Sequence, residues 1–178
     1  MIILGVDPGT LFCGYGIIEL KKTTPLYINS GVINLTKEKE LPQKLKIIYD
    51  KIEELIQDYS PNEFAIETAF YGKNIQSAMK IGYARGVALL AAVHSDLHIT
   101  EYSPREVKKA VVGTGAASKE QIQYMVSSFL KIQTDKKKFD ETDALAIALC
   151  HAFRFKSVAQ KNVSWKSFVE AFPERIIG

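Results

Sequence analysis

Near the start of the chain an apolar strand ends on an acid. Residues 2–20 read IILGVDPGTLFCGYGIIEL. Met1–Val6 has the Ile, Leu and Val content of a buried strand, and Asp7 follows it directly, with the turn formers Pro8 and Gly9 behind. A second apolar stretch, Gly14–Leu20, comes soon after, so the two runs pair as neighbours and the carboxylate is fixed at a sheet edge. An acid at that place either caps its own turn or belongs to a site that needs charge.

The rest of the chain builds around this pair. Tyr27–Leu35 reads as a third strand, with Pro25 in the turn before it, which predicts an antiparallel meander. Leu41, Leu45, Ile48, Ile52, Leu55 and Ile56 then recur at helical spacing and predict a helix over Pro42–Tyr59, ended by Ser60-Pro61-Asn62. Glu63–Glu67 (EFAIE) is a short strand that again ends on a carboxylate. Residues 74–95 are Ala-rich with helical periodicity, and Gly82 and Gly86 stand four apart, a spacing that lets another helix approach closely, within the chain or between chains. His98–Tyr102 is a fifth strand. Ser103-Pro104-Arg105-Glu106 and Ser118-Lys119-Glu120-Gln121 are capping-box starts for two helices, the second reaching Ile132, with Gly113-Thr114-Gly115 joining them. Lys136–Lys138 is a basic loop, and Asp140–Phe155 is a helix opening on DETD. Residues 156–178 carry no strong period and read as a tail. Three strands, helix, strand, helix, strand, then helices predict an α/β fold: a mixed five-stranded sheet with helices on both faces, in the ribonuclease H-like order.

Four acids fall where elements begin or end. Asp7 closes the first strand and Glu67 the fourth, while Asp140 and Asp143 open the last helix three residues apart, on one face. If the first and fourth strands are neighbours, Asp7 and Glu67 lie side by side, and a helix start across that edge brings all four together. Such a set repels itself unless cations bind among its members. Oxygen-only ligands suit Mg²⁺, with Mn²⁺ as a substitute, and two such ions activate a water and stabilise the leaving oxygen of a phosphodiester. The plainer readings are a turn cap for Asp7, a solvated strand end for Glu67, and a helix cap and first-turn acid for Asp140 and Asp143.

Bulk properties bound the alternatives. The 178 residues suit one domain, and the net charge of +3 permits an anionic partner without requiring one. Two cysteines, Cys13 and Cys150, have no metal-type spacing and read as free thiols of a reducing compartment. The opening MIILGVD lacks a basic segment and cleavage site, and no apolar run approaches the ~20 residues of a membrane span. A soluble cytoplasmic protein is expected.

The sequence resembles the RuvC family of Holliday-junction resolvases. The matching stretches are IILGVDPGTLFCGYGIIEL, FAIETAFYGKNIQSAMKIGYARGVALLAAV, EYSPREVKKAVVGTGAASKEQIQYMV and DETDALAIALCHA, in the family's order and over most of positions 1–153. The resemblance implies a ribonuclease H-like resolvase domain over 1–155, a C-terminal tail over 156–178, and a homodimer. It implies paired, symmetric, Mg²⁺-dependent nicks in four-way junction DNA that leave 5′-phosphate and 3′-hydroxyl ends, in recombination and repair. It also implies partnership with the RuvA and RuvB branch-migration proteins. Its acidic positions fall on Asp7, Glu67, Asp140 and Asp143, and two of its lysines on Lys108 and Lys119, where they would support the phosphate. Phe70 matches an aromatic that meets DNA near the crossover, with Tyr71 and Lys73 on the same loop; Arg105 and Lys109 add positive charge nearby. Cys13 departs from a family position that commonly carries Thr or Ser.

Two other classes fit parts of the pattern. DPGT followed by GYG also resembles the phosphate turn of actin-like ATPases and sugar kinases, but those enclose a nucleotide between two such domains, and this chain supplies one. A non-catalytic junction-binding protein would be signalled by loss of an acid, and all four are present.

Overall fold

The computed structural model describes residues 1–68, 75–133 and 139–161, with the side chains of the last helix described through Phe155. The elements are β1 (Ile2–Asp7), β2 (Phe12–Lys21), β3 (Thr24–Asn34), α1 (Leu41–Tyr59), β4 (Glu63–Glu67), α2 (Ile75–His94), β5 (His98–Tyr102), α3 (Pro104–Val112), α4 (Lys119–Leu130) and α5 (Phe139–Lys161). One five-stranded sheet has the order β3-β2-β1-β4-β5. β1, β2 and β3 form the expected antiparallel meander, while β4 lies parallel to β1 and β5 parallel to β4.

The sheet is covered on both sides, and alternation along each strand assigns the residues. Leu4, Val6, Ile17, Phe64 and Ile66 point toward α1 and α2, where Ile48, Ile52, Leu55, Ala84 and Ala88 complete one core. Ile3, Ile18, Ala65 and Tyr102 point the other way, into a core filled by α3, α4 and the run Leu145–Cys150 of α5. Each fully buried Ile or Leu contributes roughly 1.5–3 kcal/mol of hydrophobic stabilisation.

Local chemistry sets the helix ends. α3 and α4 both start with closed capping boxes: Ser103 with Glu106, and Ser118 with Gln121. α1 stops at Ser60, whose left-handed backbone lets its N–H donate to the Ile56 carbonyl. Several boundaries differ from those expected. Pro25 lies inside β3, opposite Leu20, instead of in the turn; β3 is an edge strand, where a residue without an N–H is tolerated. α5 begins at Phe139, so Asp140 sits in its first turn and does not cap it, and the helix runs to Lys161, six residues beyond the expected end. Gly82 and Gly86 have no neighbour within 4 Å of an added Cβ, so among the described residues no helix of this chain packs against them.

Candidate metal and phosphate site

β1 and β4 run parallel in register, with Val6 opposite Ile66, so Asp7 and Glu67 leave the sheet as adjacent residues. Both have the parity of Gly5 and Ala65 and therefore emerge on the α5 side.

Three glycines decide how close α5 comes. Gly5 pairs with Gly16 and Asp7 with Gly14 across β1 and β2, which leaves a bare patch beside the acid. A methyl added at Gly14 would overlap the Asp140 carbonyl oxygen, and one at Gly5 would overlap that of Ala144. At Gly16 it would lie 2.8 Å from the Leu145 nitrogen. The backbone of α5 thus rests directly on the sheet, and its first turn overhangs the edge where Asp7 stands.

Asp7, Glu67 and Asp143 line one cleft of about 330 Å³, together with Lys108 and Lys119, over a wall of Val107 and Ile122. Asp140 lines a neighbouring groove instead, on the far side of the Asp7 turn. Burial, reinforced by the charges of Glu67, Asp143 and Asp140, pushes the Asp7 carboxyl up to about 8. Burial and the Asp143 charge push Glu67 to about 7, with Lys119 and Lys108 pulling the other way. Lys119 Nζ donates to Asp143 Oδ2 at 2.9 Å and stands 5.6 Å from the Phe139 ring centre. Partial burial disfavours its ammonium, but the hydrogen bond and the charges of Asp143, Asp7 and Asp140 hold it above the usual lysine range.

The donor set fits a hard divalent cation: carboxylate oxygens only, two of them reluctant to ionise until positive charge arrives. Among the described residues, no three acid, His or Cys side chains already stand as a closed metal-ligand group. The carboxylates repel one another, and Asp143 is turned onto Lys119.

Of the other expected residues, Lys108 faces the cleft. Arg105 does not line it; its side chain lies along Gly115, where an added Cβ would come 2.6 Å from Arg105 Cγ. Phe70, Tyr71, Lys73 and Lys136–Lys138 lie outside the described residues. Cys13 is fully buried, and burial pushes its thiol up to about 12, so it serves as packing in the α1/α2 core, on the opposite face of the sheet from Asp7. The sequence reading missed the glycine patch, although a strand carrying Gly-Tyr-Gly signals close backbone approach. It also missed Lys39, Lys44 and Lys80, which converge on the groove containing Asp140. No signal short of the fold marks those three.

The family model described as "Crossover junction endodeoxyribonuclease RuvC" matches residues 3–151. A protein of that name from Chloroherpeton thalassium is 43% identical, with 99% of this chain and 100% of the relative covered. Another from Photobacterium profundum is 48% identical over 88% of this chain and 90% of its own. Among solved structures, Thermus thermophilus RuvC in complex with a Holliday junction substrate superposes with a TM-score of 0.82 at 29% identity, covering 89% of this chain and 96% of that one.

Proposed function

The chain belongs to the RuvC family of crossover junction endodeoxyribonucleases, and from that premise we propose how its own residues resolve a four-way (Holliday) DNA junction. The reaction is metal-dependent hydrolysis of phosphodiesters by paired, symmetric cuts that leave 5′-phosphate and 3′-hydroxyl ends, in homologous recombination and DNA repair. The observation that carries this reading is the single cleft in which Asp7, Glu67 and Asp143 face Lys108 and Lys119.

Asp7, Glu67, Asp140 and Asp143 would hold the metal. Bound there, Mg²⁺ (two ions, replaceable by Mn²⁺) supplies positive charge to the phosphate oxygens and acidifies the attacking water. The protein's part is positional. α5, seated on the glycines, carries Asp140 and Asp143 to the sheet edge. Lys119, already 2.9 Å from Asp143, is placed to pass from that carboxylate to a phosphate oxygen as substrate enters, and Lys108 approaches from α3. Partial burial of Asp7 lowers the dielectric around it, which strengthens each of these interactions.

The outer face of α2 supports a homodimer. Met79, Tyr83, Leu90 and Val93 are exposed there and, with the bare Gly86, fall at alternating spacings of four and three, the seam of a helix pair. Two equivalent sites related by a two-fold axis match a junction of the same symmetry. Among the described residues no helix is long and apolar enough to cross a membrane. With bacterial relatives and DNA as substrate, the cytoplasm is the proposed location, and RuvA and RuvB are the proposed partners, by family.

The test is a synthetic four-way junction incubated with Mg²⁺ or with EDTA, for wild type and Asp7→Asn. Symmetric nicks only with wild type and Mg²⁺ are expected. Junction binding with no divalent-dependent nicking would overturn the catalytic assignment.

A further inference from the structure

The acidic edge is flanked by two grooves, and the function described above gives a phosphate-binding role to the lysines of only one. The second, about 480 Å³, lies across the Asp7 turn and is walled by Leu11, Phe12 and Ile81. Among the described residues Asp140 is the single acid lining it, against three lysines: Lys39 in the loop before α1, Lys44 in α1 and Lys80 in α2. Converging ammonium groups repel one another, and a polyanion lying between them relieves that repulsion.

The lysines differ in what they do. Lys44 is half-buried and its Nζ donates to the Thr10 carbonyl at 3.1 Å, so it braces the turn that follows Asp7. Lys39 and Lys80 are exposed. The nearby acid Glu38 is folded back on its own loop, accepting from the Lys39 and Glu40 backbone N–H groups at 2.7 and 2.9 Å. Leu11 and Phe12 remain 56% and 40% exposed on the groove's rim, a surface on which sugars and bases can rest. The groove is continuous with the site through Asp140 and through Gly9 and Thr10, which follow Asp7 in the chain. With a scissile phosphate at Asp7 and one flank of the strand in the Lys108–Lys119 cleft, this groove is the adjoining surface for the other flank, across the Asp7 turn.

We infer that this groove is a second DNA-binding surface, which takes backbone phosphates of the cut strand beyond the scissile position through Lys39 and Lys80. The inference rests on the endonuclease reading for the placement of the strand, but its test reads binding alone.

The full-length double variant Lys39→Gln/Lys80→Gln is compared with wild type for binding a synthetic four-way junction, without divalent cation, over a range of salt. A phosphate contact contributes about 0.9 to the slope of log affinity against log salt, so the slope should fall by about 2 and binding should weaken on the order of tenfold near 0.1 M salt. The control Lys21→Gln/Lys46→Gln removes the same net charge from lysines paired to Glu19 and Asp50, and should leave the slope unchanged. Neutral methylphosphonates placed next to the cut on the scissile strand should weaken wild type and add nothing to the Lys39/Lys80 variant. An unchanged slope, an equal change in the control, or equal methylphosphonate sensitivity in both proteins would overturn the inference. Nicking of the same junction by wild type with Mg²⁺ reports separately on the endonuclease reading.

Discussion

Toward α1 and α2 the sheet presents Leu4, Val6, Ile17, Phe64 and Ile66, whereas toward α5 it presents Gly5, Gly14 and Gly16 around the same central strands. Large aliphatic side chains fill the first interface and hold the helices off by their own volume. At the second, the glycine seat leaves no side chain between sheet and helix and backbone meets backbone, while Ile3, Ile18 and Tyr102 fill a core elsewhere on the same face. The first arrangement gives stability that many apolar residues could supply. The second gives position, because only glycine lets the first turn of α5 reach the edge occupied by Asp7 and Glu67. Both faces thus carry a stabilising core, but only the glycine seat on the α5 face fixes where the acids stand.

The contrast can be broken first at Gly14. Gly14→Val would drive a branched side chain into the Asp140 carbonyl, which must lift α5 from the edge. Overpacking of this kind costs about 1–3 kcal/mol or more, and displacing two carboxylates by even about 1 Å costs on the order of 10²-fold in rate. Junction cleavage by the folded fraction, with a thermal melt alongside, checks both effects. Full activity in Gly14→Val would show that close approach of α5 is not needed.

Asp7→Asn and Asp140→Asn separate charge from fold. Cleavage should disappear in both, with circular dichroism unchanged. Asp140 lies inside the first turn of α5, so the amide costs little there. For Asp7 stability should also change with pH. Its folded value of about 8 lies above the ordinary 3.8, so between those limits the native state binds more protons than the unfolded chain. The stability that Asp7 contributes to the metal-free protein should therefore fade as pH rises from about 3.8 to about 8, and Asp7→Asn should remove that part of the pH dependence. Melts in EDTA across this range provide the measurement, and a parallel slope in the variant would refute the burial argument.

Ile17→Val tests the other face. Removing one buried methylene from the α1/α2 side should cost about 0.5–1.5 kcal/mol, with cleavage per folded molecule unchanged. A rate loss comparable to that of Gly14→Val would erase the division between faces.

The smallest effect is expected at His151, far along α5 from the acids. Its Nδ1 lies 2.9 Å from the Tyr102 hydroxyl and its Nε2 3.3 Å from Glu63 Oε2. Burial holds the imidazole below the ordinary 6.5, with the Glu63 charge opposing and His98 adding to the depression. The unfolded chain then binds the proton more readily, so the contribution of His151 to stability should fall as pH drops below about 6.5, opposite in sign to that of Asp7. His151→Gln should weaken this acid sensitivity, as followed by melts between pH 7 and 5.

The acids were legible in the sequence because each stands where an apolar period stops, and strand parity then fixes the side on which Asp7 and Glu67 emerge. The capping boxes at Ser103 and Ser118 were legible for the same local reason. Pro25 was misplaced because its tolerance depends on β3 being an edge strand, which no window of sequence around it reveals. The division of the carboxylates between two clefts, with Asp140 apart from the other three, depends on the exact seat of α5.

By itself the sequence determined which residues form strands and helices, and which acids end them, since periodicity and capping act over a few neighbouring residues. Tertiary structure alone decided that Gly5, Gly14 and Gly16 form one patch under α5, that Lys119 reaches Asp143, and that Lys39, Lys44 and Lys80 share a groove. Those relations join residues far apart in the chain, and their distances are set by the packing of helices on a sheet.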